Sequence, residues 1–127
     1  MANQRISVVT VCYNSFDMLK ETMQNVDKQT YDNFEYIVVD GNSSDGTVDY
    51  LRNYNGKLTK YISEPDKGIY DAMNKGVKIS SGDYVIFLNA GDMFAEVDTL
   101  QKIFHGKYYD SDIIYGDVIR KMKDGTF

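Results

Sequence analysis

The chain has 127 residues, 43% of them hydrophobic and 26% charged, with a formal net charge of −5. That composition suits one domain with one core and excludes a disordered chain; the acidic balance speaks against a nucleic-acid binder, which carries a basic face. The single cysteine, Cys12, excludes an internal disulfide framework and a multi-cysteine zinc site, and the single histidine, His105, speaks against a Ser-His-Asp hydrolase.

The first apolar run, "ISVVTV" (6–11), is short and β-branched, which predicts a strand with Cys12 as a buried inert thiol. The period then changes. In "SFDMLKETMQNV" (15–26) Phe16, Leu19, Met23 and Val26 share one helical face, and Asn14 or Ser15 is the expected N-cap. "FEYIVVD" (34–40) predicts a second strand. "DGTVDYLRNY" (45–54) predicts a short helix with Val48 and Leu51 inward, stopped by Asn55 and Gly56. A third strand is expected over 58–64, less buried because Lys60 sits in its middle, and it ends before Pro65. A helix follows over 68–79, then the most apolar strand, "DYVIFLNAG" (83–91). A helix over 96–105 carries Leu100, Ile103 and Phe104, and a fifth strand is expected over 112–119. Short apolar strands alternating with amphipathic helices predict an α/β fold, with a mostly parallel sheet covered on both faces.

In such a sheet ligands bind beyond the carboxyl ends of the strands. Thr10, Tyr13 and Asn14 stand at the end of strand one, Asp40 ends strand two, strand three leads into Glu64, Asp66 and Lys67, and Asn89 and Asp92 stand at the end of strand four. Carboxylates and amides on one edge, with helix N-termini behind them, can hold a base, a ribose and a metal-bound diphosphate. Each residue also has a plain structural account. Asp40 and Asp92 could close turns, and Asp66 is a good helix N-cap. Asp71 and Lys75 are spaced for an exposed helix pair, Asn74 could lie on either face, and His105 suits a helix C-terminus. There is no Gly-x-Gly-x-x-Gly after strand one and no Walker-type loop, which speaks against a dinucleotide fold and an NTPase.

The segments "ISVVTVCYN", "FEYIVVDGNSSDGT" and "SEPDKGIYDAMNKGVKISSGDYVIFLNAGD" together resemble, in order and spacing, the N-terminal half of family 2 glycosyltransferases. The resemblance implies the Rossmann-like GT-A fold, in a single donor-binding domain spanning residues 1–127, with the acceptor half of the enzyme missing. It implies a UDP- or GDP-sugar donor, a divalent metal (Mg²⁺ or Mn²⁺), and inverting transfer to a saccharide or lipid-linked acceptor in cell-surface polysaccharide or glycoconjugate synthesis. Thr10, Tyr13 and Asn14 would line the nucleotide pocket, and Asp40 would accept a hydrogen bond from the base. Asp66, Lys67 and Gly68 would flank base and diphosphate, and Asn74 falls on a recurrent position of the next helix. Asn89 would give an oxygen to ribose or metal, and Asp92 would be the metal-binding carboxylate. Many relatives place a second acid directly before it; here that residue is Gly91. The family's catalytic base has no counterpart that the sequence identifies, although Asp110, Asp112 and Asp117 lie on or near the fifth strand. The alternative expectation is a non-catalytic nucleotide-binding or interaction module. Cytoplasmic placement, at the inner membrane face, and self-association through an open sheet edge complete the expectations.

Overall fold

The computed structural model describes residues 4–106, so the strand expected over 112–119 lies outside the described residues. Four strands, β1 (Ile6–Cys12), β2 (Phe34–Asp40), β3 (Lys60–Ser63) and β4 (Tyr84–Phe87), form one sheet in the order β3-β2-β1-β4. Every pairing is parallel. The helices among the described residues are α1 (Phe16–Asp27), α2 (Thr47–Arg52), α3 (Ile69–Ile79) and α4 (Thr99–Phe104).

The position of the helices follows from the strand order. The chain steps from β1 to β2 to β3 in one direction, so right-handed crossovers put α1 and α2 on the same face. It then returns past β1 to reach β4, which sends α3 to the opposite face. The two apolar clusters match this. Leu19, Met23 and Val26 of α1, Leu51 of α2, and Leu100 and Phe104 of α4 pack on Ile6, Val8, Tyr36 and Val38. On the other face Ala72 of α3 packs on Val9, Val11, Ile37 and Val39. Leu19, Met23 and Val26 are fully enclosed, worth roughly 1.5–3 kcal/mol each by transfer from water. β1, central in the sheet, is buried at all seven positions.

Several element boundaries differ from the sequence expectation, α2 (expected 45–54) and α4 (expected 96–105) both being shorter, and the backbone bonds of two strands are informative. β3 is shorter than 58–64 because a side chain replaces a rung: Thr59 Oγ1 accepts the Tyr36 N–H at 2.9 Å, while the Thr59 N–H donates to the Tyr36 carbonyl. β4 stops at Phe87, yet the chain continues extended along β1, since the Leu88 N–H donates to the Val9 carbonyl and the Ala90 N–H to the Val11 carbonyl. That extension carries Asn89 and Asp92 to the C-terminal end of β1. No helix among the described residues is long and apolar enough to cross a membrane.

Candidate functional site

The strand order reverses between β1 and β4, and a parallel sheet opens a crevice at such a point, beyond the strand C-termini. The loop after β1 (Tyr13, Asn14) and the loop after β4 (Asn89 to Asp92) flank that crevice.

The β1 side is laced to the loop after β2. Asn14 adopts φ 47, and its N–H donates to Ser43 Oγ at 2.8 Å, while its own Oδ1 accepts the Ser44 N–H at 2.9 Å. Asp45 ties two helix starts together. Its Oδ2 accepts the Phe16 N–H at the head of α1, and its Oδ1 accepts the Thr47 hydroxyl and N–H at the head of α2. The Thr47 hydroxyl, working against partial burial and joined by these backbone N–H groups, holds the Asp45 carboxyl below its ordinary range. Ser15 occupies the N-cap position of α1 as expected, but its side chain makes no capping bond; Asp45 takes that role.

Asp40 is fully buried. Its Oδ1 accepts the Ser43 hydroxyl at 2.5 Å and the Cys12 thiol at 3.4 Å; its Oδ2 accepts the Ser43 N–H at 3.0 Å and the Ser63 hydroxyl at 2.8 Å. Burial, with Asp40 alongside, pushes the Cys12 thiol far up, so it stays protonated and donates. Thr10 is also fully enclosed: its hydroxyl pairs with the Tyr36 hydroxyl at 2.8 Å and donates to the Leu88 carbonyl at 2.6 Å. A ligand could reach either side chain only if these bonds opened.

Other expected residues do stand at the surface. Tyr13 is 64% exposed. Its ring and the Asp66 carboxylate converge over Gly41: a Cβ built there would lie 2.7 Å from Asp66 Oδ2 and 3.3 Å from Tyr13 Cδ1. Asp66 Oδ1 accepts the Gly68 N–H at 3.0 Å, and Asp71 Oδ2 accepts the Lys67 N–H at 2.9 Å. Gly68, not Asp66, is the N-cap position of α3, although Asp66 holds its amide. Asp71 and Lys75 do pair, at 3.7 Å, and Lys75 also reaches Glu64 at 3.3 Å. Lys67 and Asn74 are exposed.

Beyond β4, Asp92 is exposed, and Asn89 carries a buried Oδ1 with no hydrogen-bond partner. A buried acceptor left unpaired costs about 1–3 kcal/mol, so this oxygen is poised to receive a donor or a cation. The helix starts offer less to an anion than the sequence suggests. The protein's own carboxylates, Asp45 at α1 and Asp66 with Asp71 near α3, already hold amides there. A diphosphate at this acidic edge needs a cation. The oxygen donors Asn89 and Asp92 suit Mg²⁺ or Mn²⁺, which take part of their coordination from phosphate and water. No group of three or more His, Cys, Asp or Glu side chains that could hold a metal ion occurs among the described residues.

Sequence reasoning missed Gly41, Ser43, Asp45 and Ser63, which join loops distant in sequence. It also missed Thr22 and Asn25 on α1 and Gln29 just past its C-terminal end, which hold the backbone after β4. Their spacing, three and then four residues, was a legible polar stripe beside the apolar one.

The family model for glycosyl transferase family 2 matches residues 7–127. The chain belongs to that family. It is 35% identical over 126 residues to a PGL/p-HBAD biosynthesis glycosyltransferase of Mycobacterium bovis, covering 95% of this chain and 49% of that protein. The chain thus spans about half the length of the curated relatives it matches most fully. Among solved structures, the mannosyltransferase PcManGT of Pyrobaculum calidifontis, in complex with GDP-Man and Mn²⁺, superposes with a TM-score of 0.72 at 26% identity, covering 79% of this chain and 31% of that one. TarS of S. aureus, in complex with UDP-GlcNAc, gives 0.71 at 27% identity, covering 78% and 30%. The sheet described above is therefore the GT-A, Rossmann-like sheet expected for a glycosyltransferase of this family.

Proposed function

We propose that this chain binds a nucleoside diphosphate sugar at the β1/β4 crevice, as the donor-binding part of an inverting glycosyltransferase. The sugar passes to an acceptor hydroxyl, on a saccharide or a lipid-linked carrier, in cell-surface polysaccharide or glycoconjugate synthesis. The observation that carries the reading is the buried, unpaired Asn89 Oδ1 beside the exposed Asp92, at the switch point of a family 2 fold. The solved relatives with GDP-Man and UDP-GlcNAc support the donor class.

Each residue then has a role. Tyr13 and Asp66 converge to receive the base, and the free Asp66 Oδ2 accepts its N–H. Gly41 leaves room for that convergence. Asp40 and Thr10 act from beneath, Asp40 by shaping residues 41–43 and Thr10 by holding the Leu88 carbonyl. Asn14 sets the loop above the crevice through Ser43 and Ser44. Lys67 brings positive charge to the rim beside Gly68, and Asn74 is an exposed amide on α3. Asn89 and Asp92 would hold a divalent ion, which when bound neutralises charge on the departing diphosphate. The acceptor hydroxyl must lose its proton to a base outside the set assigned here.

Titration of the chain with UDP and GDP, with and without Mn²⁺, tests the reading. One base is expected to be preferred, with binding strengthened by metal. Asp92→Ala should abolish the metal enhancement, a loss of roughly tenfold or more in affinity, equivalent to about 1.4 kcal/mol or more. Equal affinity of parent and variant in Mn²⁺ would remove Asp92 from the site.

A further inference from the structure

We propose that Thr22, in the middle of α1, is a positioning residue for the metal-binding loop, aiming the Asp92 carboxylate through the backbone of residues 91 and 92. The proposal rests on the reading of Asp92 given above.

Thr22 is a polar residue with no exposed surface, on the helix face that otherwise carries Leu19, Met23 and Val26. Its hydroxyl spans the gap to the loop after β4. Oγ1 accepts the Gly91 N–H at 2.9 Å and donates to the Asp92 carbonyl at 2.8 Å, with the Met18 carbonyl at 3.1 Å as a second acceptor within its own helix. The two backbone groups on either side of the Gly91–Asp92 junction are thereby fixed to one atom.

That junction needs fixing. Gly91 stands at φ 98, a conformation that side chains rarely adopt, and the Asp92 N–H closes a tight turn onto the Asn89 carbonyl at 2.8 Å. Glycine reaches that conformation without strain, so the residue itself does not hold the turn in one geometry and outside hydrogen bonds must. Farther along the same stripe, Asn25 holds both backbone groups of Phe94, at 3.1 and 2.7 Å. Gln29 reaches the Glu96 carbonyl and accepts the Leu100 N–H. Asn25 and Gln29 anchor the connection to α4; Thr22 is the rung at the metal motif itself. Since Asn89 lies across the same turn, the spacing between its Oδ1 and the Asp92 carboxylate depends on this clamp.

A threonine that served packing alone would tolerate valine, which has the same shape. A positioning threonine would not, because valine leaves the Gly91 N–H and the Asp92 carbonyl unpaired. The deciding measurement is the metal enhancement: the ratio of UDP or GDP affinity with Mn²⁺ to that without, by calorimetry, on the parent, Thr22→Val, Thr22→Ser and Asp92→Ala. Thr22→Val should reduce the enhancement by roughly tenfold, the scale of one lost buried hydrogen-bond pair, while metal-free affinity stays near the parent value. Thr22→Ser, which keeps the hydroxyl, should restore the enhancement. A general loosening of the fold would lower both affinities together and would overturn the proposal. So would a full enhancement in Thr22→Val; if Asp92→Ala then still lacks enhancement, the metal reading of Asp92 survives and only the role of Thr22 is lost. A parent with no enhancement ends both. Should Thr22→Val fail to melt cooperatively, the same ratio on Thr22→Ala decides.

Discussion

Strand β2 buries two carboxylates, one near each end, and they serve different purposes. Glu35, 2% exposed, lies at the start of the strand, on the α3 side. It accepts the Ser7 hydroxyl and the Ser81 N–H, each at 2.5 Å, and faces Lys60 at 3.5 Å. Ser7 in turn accepts the Gly82 N–H at 2.8 Å. All of these groups fasten the turn before β4 to the edge of the sheet remote from the crevice. Asp40, on the other face and at the other end, fastens the loop that carries Gly41 and Ser43. Both acids are saturated with internal hydrogen bonds, so burial of a carboxylate does not by itself mark a binding site. What differs is the segment each one holds in place.

The largest expected effect is at Asp40. Replacing it with alanine strands the Ser43 N–H and the Ser63 hydroxyl, and should cost roughly 3 kcal/mol in denaturant unfolding. Nucleotide affinity should fall as well, because the loop over which Tyr13 and Asp66 converge loses its anchor. A variant that lost affinity while keeping full stability would instead make Asp40 a direct ligand contact.

Glu35→Gln should cost less, about 1–2 kcal/mol at neutral pH, and should leave nucleotide affinity unchanged. Burial opposes the charge on Glu35, but hydrogen bonds from Ser7 and Ser81 and the nearby Lys60 outweigh it, holding the carboxyl below its ordinary value of 4.5. A depressed folded value means that the unfolded chain takes up the proton first. The contribution is therefore complete above about pH 4.5 and is lost as pH falls through the lower folded value. Unfolding free energies between pH 7 and pH 3 should fall less steeply in Glu35→Gln than in the parent. Parallel curves would mean that Glu35 does not carry the acid sensitivity.

Much of this arrangement was legible in the sequence, and the division between what was and what was not is physical. The runs at 6–11 and 34–40 and the helical stripe at 16, 19, 23 and 26 are local patterns; local periodicity located the elements, and their alternation implied the parallel sheet, though not its strand order. The trimmed ends of β3 and β4 arise from contacts between strands, which no local period records. The candidate residues could be grouped at one edge from the sequence because strand C-termini converge in any parallel sheet. Which side chains turn inward was not readable in that way. Asp40 read as the acid at a strand end and Asp45 as the first residue of a helix; one is a buried hub, and the other holds two helix starts, reaching back to Phe16 from 29 positions away. The stripe containing Thr22 was legible as a spacing, but not what it holds, because the partners of Thr22 stand 69 and 70 positions away.

The smallest expected effect tests the crevice side of the comparison most directly. Gly41 follows Asp40, and its N–H continues the ladder by donating to the Cys12 carbonyl at 3.0 Å. A methyl group there meets Asp66 Oδ2 and the edge of the Tyr13 ring, not backbone. Both neighbours can swing aside: Tyr13 is well exposed and Asp66 is half-buried. Gly41→Ala should therefore change stability by no more than about 0.5 kcal/mol, the range of ordinary surface substitutions. Swinging aside, however, breaks the convergence that would receive the base. Affinity for the preferred nucleotide should fall several-fold with and without Mn²⁺, so the metal enhancement stays intact, the reverse of the pattern expected for Thr22→Val. If Gly41→Ala binds like the parent, the base does not sit between Tyr13 and Asp66, and the hydrogen bonds that Asp40 makes serve the fold alone, as those of Glu35 do.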